Sequence, residues 1–440
     1  MEYPVLYIHP KSQMQLDEII PISVPALVQR LNVPVLGRFH YEVSASEIRQ
    51  CKVVFMDIHW YLSLPGALKL AKKLKAINPE VQIIAGGITA SLFAGEIART
   101  SAIDYVVRGD AEVPLQGLIE AILEGKDIDH IKEIPNLAHA DFETPWTYSI
   151  NSEILNSLEF NNVDFFPTLK ANLAKMHNRP GHRSFAAHPY VMAFRGCPLA
   201  CLNCLGAPKA QISFFNRGVI FREAKKVRQD FAELEANPDY RYVNVIHDFF
   251  LMKKDYWSEV LNRTYDLKLY YSFAGLPAAD ELEALMGAFN GGRLVFSIDK
   301  YHSTSKTLVD IDELIERISR AQQEKQYKVS LAYSETYCKE DPEYKAAVER
   351  VRRTTSVILN EVSFWWTEVP QKMTDPAQIQ REYERYAGNK GHRFTVLNAS
   401  YKAFYHLHGI FPRSFNAIAD RMIHLMSHRV NTLDMYSLKN

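Results

Sequence analysis

The stretch Arg195-Gly-Cys197-Pro-Leu-Ala-Cys201-Leu-Asn-Cys204-Leu-Gly206 holds three of the chain's five cysteines. Their spacing is C-x3-C-x2-C, on a loop that follows the apolar run at residues 191–194, with Gly196 and Pro198 to shape the turn. Three thiolates from one short loop can hold three corners of a [4Fe–4S] cube and leave the fourth iron open to a ligand. A structural zinc ion wants four protein ligands, usually as two pairs. His182 and His188 are near enough in sequence to complete such a set, so zinc is the alternative. Cys51 and Cys338 lie far along the chain and are poor candidates for a fourth corner. A cube with one open iron is a reactive centre rather than an electron relay.

Downstream, six apolar runs read as strands, at residues 191–194, 242–248, 267–273, 293–299, 327–332 and 362–366. Helical spacing occupies residues 221–235, 256–261, 280–289 and 310–324 between them. Repeated β-α units of this size form a barrel or part of one, with chemistry at the C-terminal ends of the strands. His247 and Asp248 end the second of these strands, where Asp248 is either a ligand contact or a loop cap. Ser297 and Asp299 end the fourth and share a face by alternation. Lys300 and Tyr301 follow them, and of Trp365 and Trp366 only one can point into the barrel.

Upstream, strands at residues 5–8, 33–36, 53–58, 81–85 and 103–107 alternate with helices at 24–31, 67–77 and 115–123. That alternation predicts a parallel sheet covered on both faces, with ligands beyond the carboxyl ends of its strands. Gly86 and Gly87 follow the fourth strand and would let a flat, bulky ligand approach the backbone. The expected fold is therefore α/β: a Rossmann-like parallel-sheet domain over residues 1–125, an irregular aromatic-rich connector over 126–188, a partial (β/α)6 TIM-type barrel over 189–369, and a mostly helical C-terminal region over 370–440. Phe415, Ile418, Met422, Ile423 and Met426 recur in that last region at helical spacing and read as core.

Composition narrows the function classes. With 47% hydrophobic and 23% charged residues a large core is available. Lys+Arg and Asp+Glu are both 51, a balance that argues against a general nucleic-acid or anionic-membrane binder. No apolar run is long enough to span a bilayer, and residues 1–10 carry neither the basic flank nor the cleavage site of a signal peptide. A cytoplasmic chain is expected. No Ser-His-Asp order, phosphate-binding glycine loop or zinc-protease helix stands out.

A C-x3-C-x2-C loop after the first strand of a β/α barrel resembles the radical S-adenosylmethionine superfamily. The resemblance implies that Cys197, Cys201 and Cys204 ligate a [4Fe–4S] cluster whose open iron chelates S-adenosylmethionine. Asn203 stands where the superfamily usually has an aromatic residue packed on the adenine. The N-terminal part is similar to the cobalamin-binding domain that many of these enzymes carry. The matching pieces are Ser23-Val-Pro-Ala-Leu-Val on the first helix, Asp57-Ile-His-Trp-Tyr-Leu-Ser63 after the third strand, Gly86-Gly87 after the fourth, and Arg108-Gly-Asp-Ala-Glu112 after the fifth. The cofactor-binding residues so implied are Ser63, Gly86, Gly87, Gly109 and Glu112, with His247, Asp248, Ser297 and Asp299 on the S-adenosylmethionine side. Asp57-x-His59 resembles the Asp-x-His-x-x-Gly motif that ligates cobalt from below, but Leu62 replaces the glycine and the position follows the third strand rather than the first. No histidine ligand to cobalt is therefore expected, and His59 reads as a loop or structural residue. Arg195, just before the cluster loop, reads either as a counter-charge to the cluster or as an ordinary surface arginine.

The function implied is a cobalamin-dependent radical enzyme, in first place a methyltransferase acting on an unactivated carbon or phosphorus of a small molecule or peptide. A low-potential electron donor of flavodoxin or ferredoxin type would be its partner, with no nucleic acid and no membrane. The alternatives are non-methylating chemistry with the same cluster (hydrogen abstraction with rearrangement or cyclisation, or aminocarboxypropyl transfer) and a non-catalytic metal- or corrinoid-binding module.

Overall fold

Val53-Val-Phe-Met-Asp57 is apolar at every position but its last, as a strand buried on both faces must be. In the computed structural model, which describes residues 3–12, 20–177, 189–199, 206–300, 307–361 and 376–388, this strand lies inside a six-stranded sheet. Strands β1 (Val5–His9), β2 (Val35–Phe39), β3 (Val53–Asp57), β4 (Gln82–Gly86) and β5 (Tyr105–Val107) are parallel, in the order β2-β1-β3-β4-β5. β6 (Leu137–Ala138) pairs antiparallel with β5, so this sheet extends past residue 125 into the connector.

The two faces of the sheet bury different helices. Val53, Phe55, Tyr7, Ile84 and Val107 pack with Val24 of α1 (Ser23–Arg30) and with Leu115 and Leu118 of α6 (Pro114–Glu124). Val54, Met56, Leu6, Ile83 and Ala85 pack with α2 (Ala45–Gln50), α3 (Leu64–Ile77) and α5 (Ala94–Thr100). The chain leaves β1 toward β2 on one side and returns to β3 on the other, which opens a crevice at the carboxyl ends of those two strands.

The second sheet is parallel throughout. Its members are β7 (Tyr190–Val191), β10 (Tyr242–Val245), β11 (Lys268–Ser272), β12 (Gly292–Ser297), β15 (Tyr327–Tyr333) and β16 (Ile358–Glu361), in that spatial order. Two short antiparallel ladders stand beside it: β8 (Phe194–Arg195) with β9 (Ile220–Phe221), and β13 (Asp299–Lys300) with β14 (Thr307–Leu308).

Several expected boundaries shift, among them the second barrel strand, expected over 242–248, which stops at Val245 and leaves His247 and Asp248 in the loop after it, where Asp248 caps the turn Phe249–Leu251. A sixth strand runs over Ile358–Glu361, because the preceding helix Pro342–Thr355 stops at a left-handed Ser356 and the chain re-enters the sheet at once, Ser330 pairing with Ile358, whereas the expected run at 362–366 lies outside the described residues. The helix expected from residue 221 begins at Ala224, since Phe221 belongs to β9. β12 ends at Ser297, and Asp299 starts a ladder of its own.

The connector is anchored to the first domain. Gly37 on β2 donates its N–H to the Phe165 carbonyl at 2.6 Å, and the Phe166 ring packs on Tyr7 and Phe39. The helix Pro376–Ala387 also returns to that domain, with Tyr383 bonded to Thr100 at 2.8 Å and Tyr386 packed on Tyr61. Tyr301, Trp365 and Trp366, and the run from Phe415 to Met426, lie outside the described residues. Among the described residues no helix is long and apolar enough to cross a membrane.

Candidate functional site

The crevice beyond β1, β3 and β4 is an open cleft, its empty space of about 450 Å³ counting the solvent at its mouth. Val24, Leu27, Phe55, Ile84, Val107 and Leu115 make its walls apolar, and Tyr7, Ser23, Asp57 and His59 supply its polar groups. Gly86 and Gly87 line it where β4 passes into α4 (Ile88–Leu92). Gly87 has φ +104° and ψ 177°, a conformation open to glycine alone, and a Cβ there would stand 3.0 Å from the His59 backbone. Gly109, at φ +70°, carries the turn after β5, where a Cβ would meet the Trp146 indole. Ser91, which sequence reasoning missed, ties the two turns together: its hydroxyl donates to the Gly87 carbonyl and accepts from the Gly109 N–H, both at 2.8 Å.

Beneath the cleft sits a buried polar cluster that the sequence did not announce. The Tyr7 hydroxyl donates to Asp57 Oδ1 at 2.6 Å, and His9 Nδ1 lies 2.8 Å from the same oxygen. Burial alone would raise the Asp57 pKa, but His9 and the two hydrogen bonds outweigh it and hold the carboxyl below its usual range. Burial pushes the Tyr7 hydroxyl well up, with Asp57 adding to the effect. It also pulls His59 down, against the attraction of Asp57, which favours the neutral imidazole. Ser63 is fully buried on the 3₁₀ turn Tyr61–Ser63, and its Oγ has no hydrogen-bond partner among the described residues.

A second cluster joins the cleft to the barrel. The turn after β5 carries Ala111 and Leu115 into the cleft, and beside them Asp110 and Glu112 turn toward the barrel. Arg195, two residues before Cys197, reaches Glu112 Oε1 at 2.5 Å and Asp110 Oδ1 at 3.2 Å. Arg217 grips Asp110 through Nε at 2.6 Å and Nη2 at 3.2 Å. Asp110 also accepts the Ile150 N–H at 3.1 Å. Burial would disfavour charge on Arg195, but Glu112 and Asp110 raise its pKa above the ordinary value. Burial works against the Asp110 charge too, and Arg195 and Arg217 more than offset it. Two cations and two anions thus neutralise one another away from water. The Arg195 charge is paired with these carboxylates, so Arg195 is not an ordinary surface arginine.

At the barrel mouth, the Cys197 N–H donates to the Gly206 carbonyl at 2.7 Å and closes the neck of the cysteine loop. Cys201, Asn203 and Cys204 lie outside the described residues, as do His182 and His188. Among the described residues no three metal-ligating side chains converge. His247 stacks on Phe194 with ring centroids 4.0 Å apart, and burial lowers its pKa to about 3. Asp248 caps its own loop: Oδ1 accepts from the Tyr271 hydroxyl at 2.6 Å and the Phe250 N–H at 3.0 Å, and Oδ2 from the Ala274 N–H at 2.8 Å. Ser297 and Asp299 are both buried, with the Tyr344 hydroxyl donating to Asp299 Oδ2 at 3.0 Å. Burial pushes the Asp299 pKa up to about 6. Cys51 is a buried filler whose thiol donates to the Ile48 carbonyl, and Cys338 packs on the barrel core from the helix Glu335–Glu340.

Residues 31–119 match the family model of the B12 binding domain. No curated protein sequence matches the chain. Among solved structures, the chain is similar to the radical S-adenosylmethionine methyltransferase TsrM from Kitasatospora setae. With cobalamin and a [4Fe-4S] cluster bound, that protein superposes at a TM-score of 0.57 and 14% identity, over 83% of this chain and 77% of its own. With tryptophan substrate and the S-adenosylmethionine analogue aza-SAM bound, the values are 0.55 and 13%, over 82% and 74%. Residues 31–119 are thus a B12-binding domain, set in a chain that has the fold of the radical S-adenosylmethionine methyltransferase TsrM.

Proposed function

We propose that the chain is a corrinoid-dependent radical S-adenosylmethionine methyltransferase acting on an unactivated carbon or phosphorus of a small molecule or peptide. The observation that carries this reading is the single turn, residues 109–115, that lines the cleft with Ala111 and Leu115 and holds Arg195, two residues from Cys197, through Asp110 and Glu112. A corrinoid site and a three-cysteine loop joined this directly suit two cofactors that act on one another. The structures of TsrM carrying cobalamin, a [4Fe-4S] cluster, aza-SAM and tryptophan support the same pairing and a small-molecule substrate.

The residues present suit these groups. An apolar cleft lined by Gly86 and Gly87 suits the nucleotide tail of a corrinoid in its chemistry. The buried Ser63 Oγ has a hydrogen bond still to make, and Gly109 and Glu112 belong to the turn that would face the ring. Cys197, Cys201 and Cys204 form the donor set of a cube with one open vertex. Bound corrinoid and cluster-held S-adenosylmethionine would supply the methyl-transfer chemistry.

The chain's own part is placement. Ser91 holds the two glycine turns at the cleft mouth, and the Cys197–Gly206 bond keeps the cysteine loop closed at its base. The Asp110–Glu112–Arg195–Arg217 cluster fixes the first domain against the loop. Asp248 stiffens its own loop through Tyr271, Phe250 and Ala274, and with Ser297, Asp299 and the neutral His247 it would shape the S-adenosylmethionine side of the barrel rim after β10 and β12. The test is one anaerobic turnover with a low-potential reductant. S-adenosylhomocysteine formed only when corrinoid is supplied is the expected product, whereas 5′-deoxyadenosine or methylthioadenosine alone would replace this reading with hydrogen abstraction or aminocarboxypropyl transfer.

A further inference from the structure

Asp57 ends β3 on the face that packs against α1 and α6, and it lines the cleft. It is 6% exposed, and its two oxygens differ. Oδ1 is shared by the Tyr7 hydroxyl at 2.6 Å and His9 Nδ1 at 2.8 Å. Oδ2 is buried without a hydrogen-bond partner among the described residues. A carboxylate oxygen shut away from water with nothing donating to it is costly to the fold. The cleft's lining includes the apolar Phe55, Val24, Leu27 and Ile84; of its polar members, Tyr7 is bonded to Oδ1, and neither Ser23 nor His59 is bonded to Oδ2. What is missing is an O–H or N–H brought by a ligand.

The inference rests on the cleft being the corrinoid's site. A corrinoid tail brings three kinds of group there. Its phosphate is an anion without a donor, and a carboxylate repels it. Its ribose carries a hydroxyl. Its lower base carries an N–H only when it is a purine such as adenine, and none when it is dimethylbenzimidazole. We infer that Asp57 Oδ2 accepts a hydrogen bond from an O–H or N–H of the corrinoid's nucleotide tail and thereby selects tail-bearing corrinoids over truncated ones.

Three corrinoids test this by equilibrium titration of the full chain, followed by tryptophan fluorescence: cobalamin, the adenine-bearing cobamide, and cobinamide, which has no nucleotide. In the wild-type chain the preferred tail-bearing corrinoid binds roughly tenfold or more tighter than cobinamide. Asp57→Asn keeps Oδ1 for Tyr7 and His9 and turns the other atom into a donor, so it should cut that preference by roughly tenfold while cobinamide affinity stays within roughly twofold. Equal losses for cobalamin and the adenine form assign the ribose hydroxyl, and a loss confined to the adenine form assigns the base. Tyr7→Phe, which touches Oδ1 only, should preserve the preference. Cobinamide binding as tightly as both tail-bearing forms in the wild type, or Asp57→Asn weakening all three alike, overturns the role of Asp57 and leaves the cleft a corrinoid site. Failure of all three to bind overturns both.

Discussion

The two strand-end sites of this chain are built in opposite ways. At the end of β3, Asp57 lines an apolar cleft and keeps one buried oxygen without a hydrogen-bond partner among the described residues, as does the nearby Ser63 hydroxyl. In the loop just past β10, Asp248 spends its carboxylate on Tyr271, Phe250 and Ala274 of its own domain. The first site is incomplete without a ligand. The second is a finished scaffold, whose reactive groups, on the proposed function, would come from the loop between Cys197 and Gly206. Strand-end position, which both share, does not separate a receiving carboxylate from a capping one; the hydrogen-bond count does.

The sharpest way to break the comparison is to remove the loop's thiolates. Alanine at Cys197, Cys201 or Cys204 should abolish iron retention and lower S-adenosylmethionine turnover by more than about a hundredfold, while corrinoid affinity stays within about twofold, since distant sites act independently. Iron content, turnover and a corrinoid titration on the same preparation check it. The joint between the sites comes next. Arg217→Ala leaves the Asp110 carboxylate buried with half its partners gone and should cost about 3–5 kcal/mol in chemical denaturation.

Within the cleft, Gly87→Ala forces a side chain into a glycine-only conformation against His59 and should cost about 1–3 kcal/mol, with weaker corrinoid binding. The smallest effect is a pH dependence at the barrel rim. The folded His247 pKa of about 3 lies below its ordinary 6.5, so the unfolded chain takes up the proton first. Its contribution to stability is complete above pH 6.5 and declines as pH falls toward 3. His247→Phe, which can keep the stacking on Phe194, should flatten that acid limb in denaturation curves measured between those values.

These predictions draw on residues that were unequally visible in the sequence. The first sheet could be read because its strands are buried on both faces and therefore continuously apolar, as in Val53-Val-Phe-Met. β6 could not, being two residues long and defined only by its pairing with β5. The sixth barrel strand, Ile358-Leu-Asn-Glu361, is half polar and hid beside the more apolar run at 362–366. Gly86 and Gly87 stood out as a pair after an apolar run, and Gly87 has the backbone conformation that only glycine suits. Arg217 and Asp110 are 107 positions apart, and nothing local marks an arginine as buried. Tyr7 and His9 looked like ordinary strand residues, since their meeting with Asp57 is set by the β1–β3 pairing alone.

The central claim is that one chain carries both a corrinoid cleft and an open-vertex iron–sulfur loop. Metal and corrinoid analysis of the full chain, reconstituted anaerobically with iron, sulfide and cobalamin and then desalted, tests it most directly. The expected result is about four irons and about one cobalt per chain, the cobalt within an intact corrinoid. Zinc in place of iron, or a full complement of iron with no retained cobalt, would contradict it.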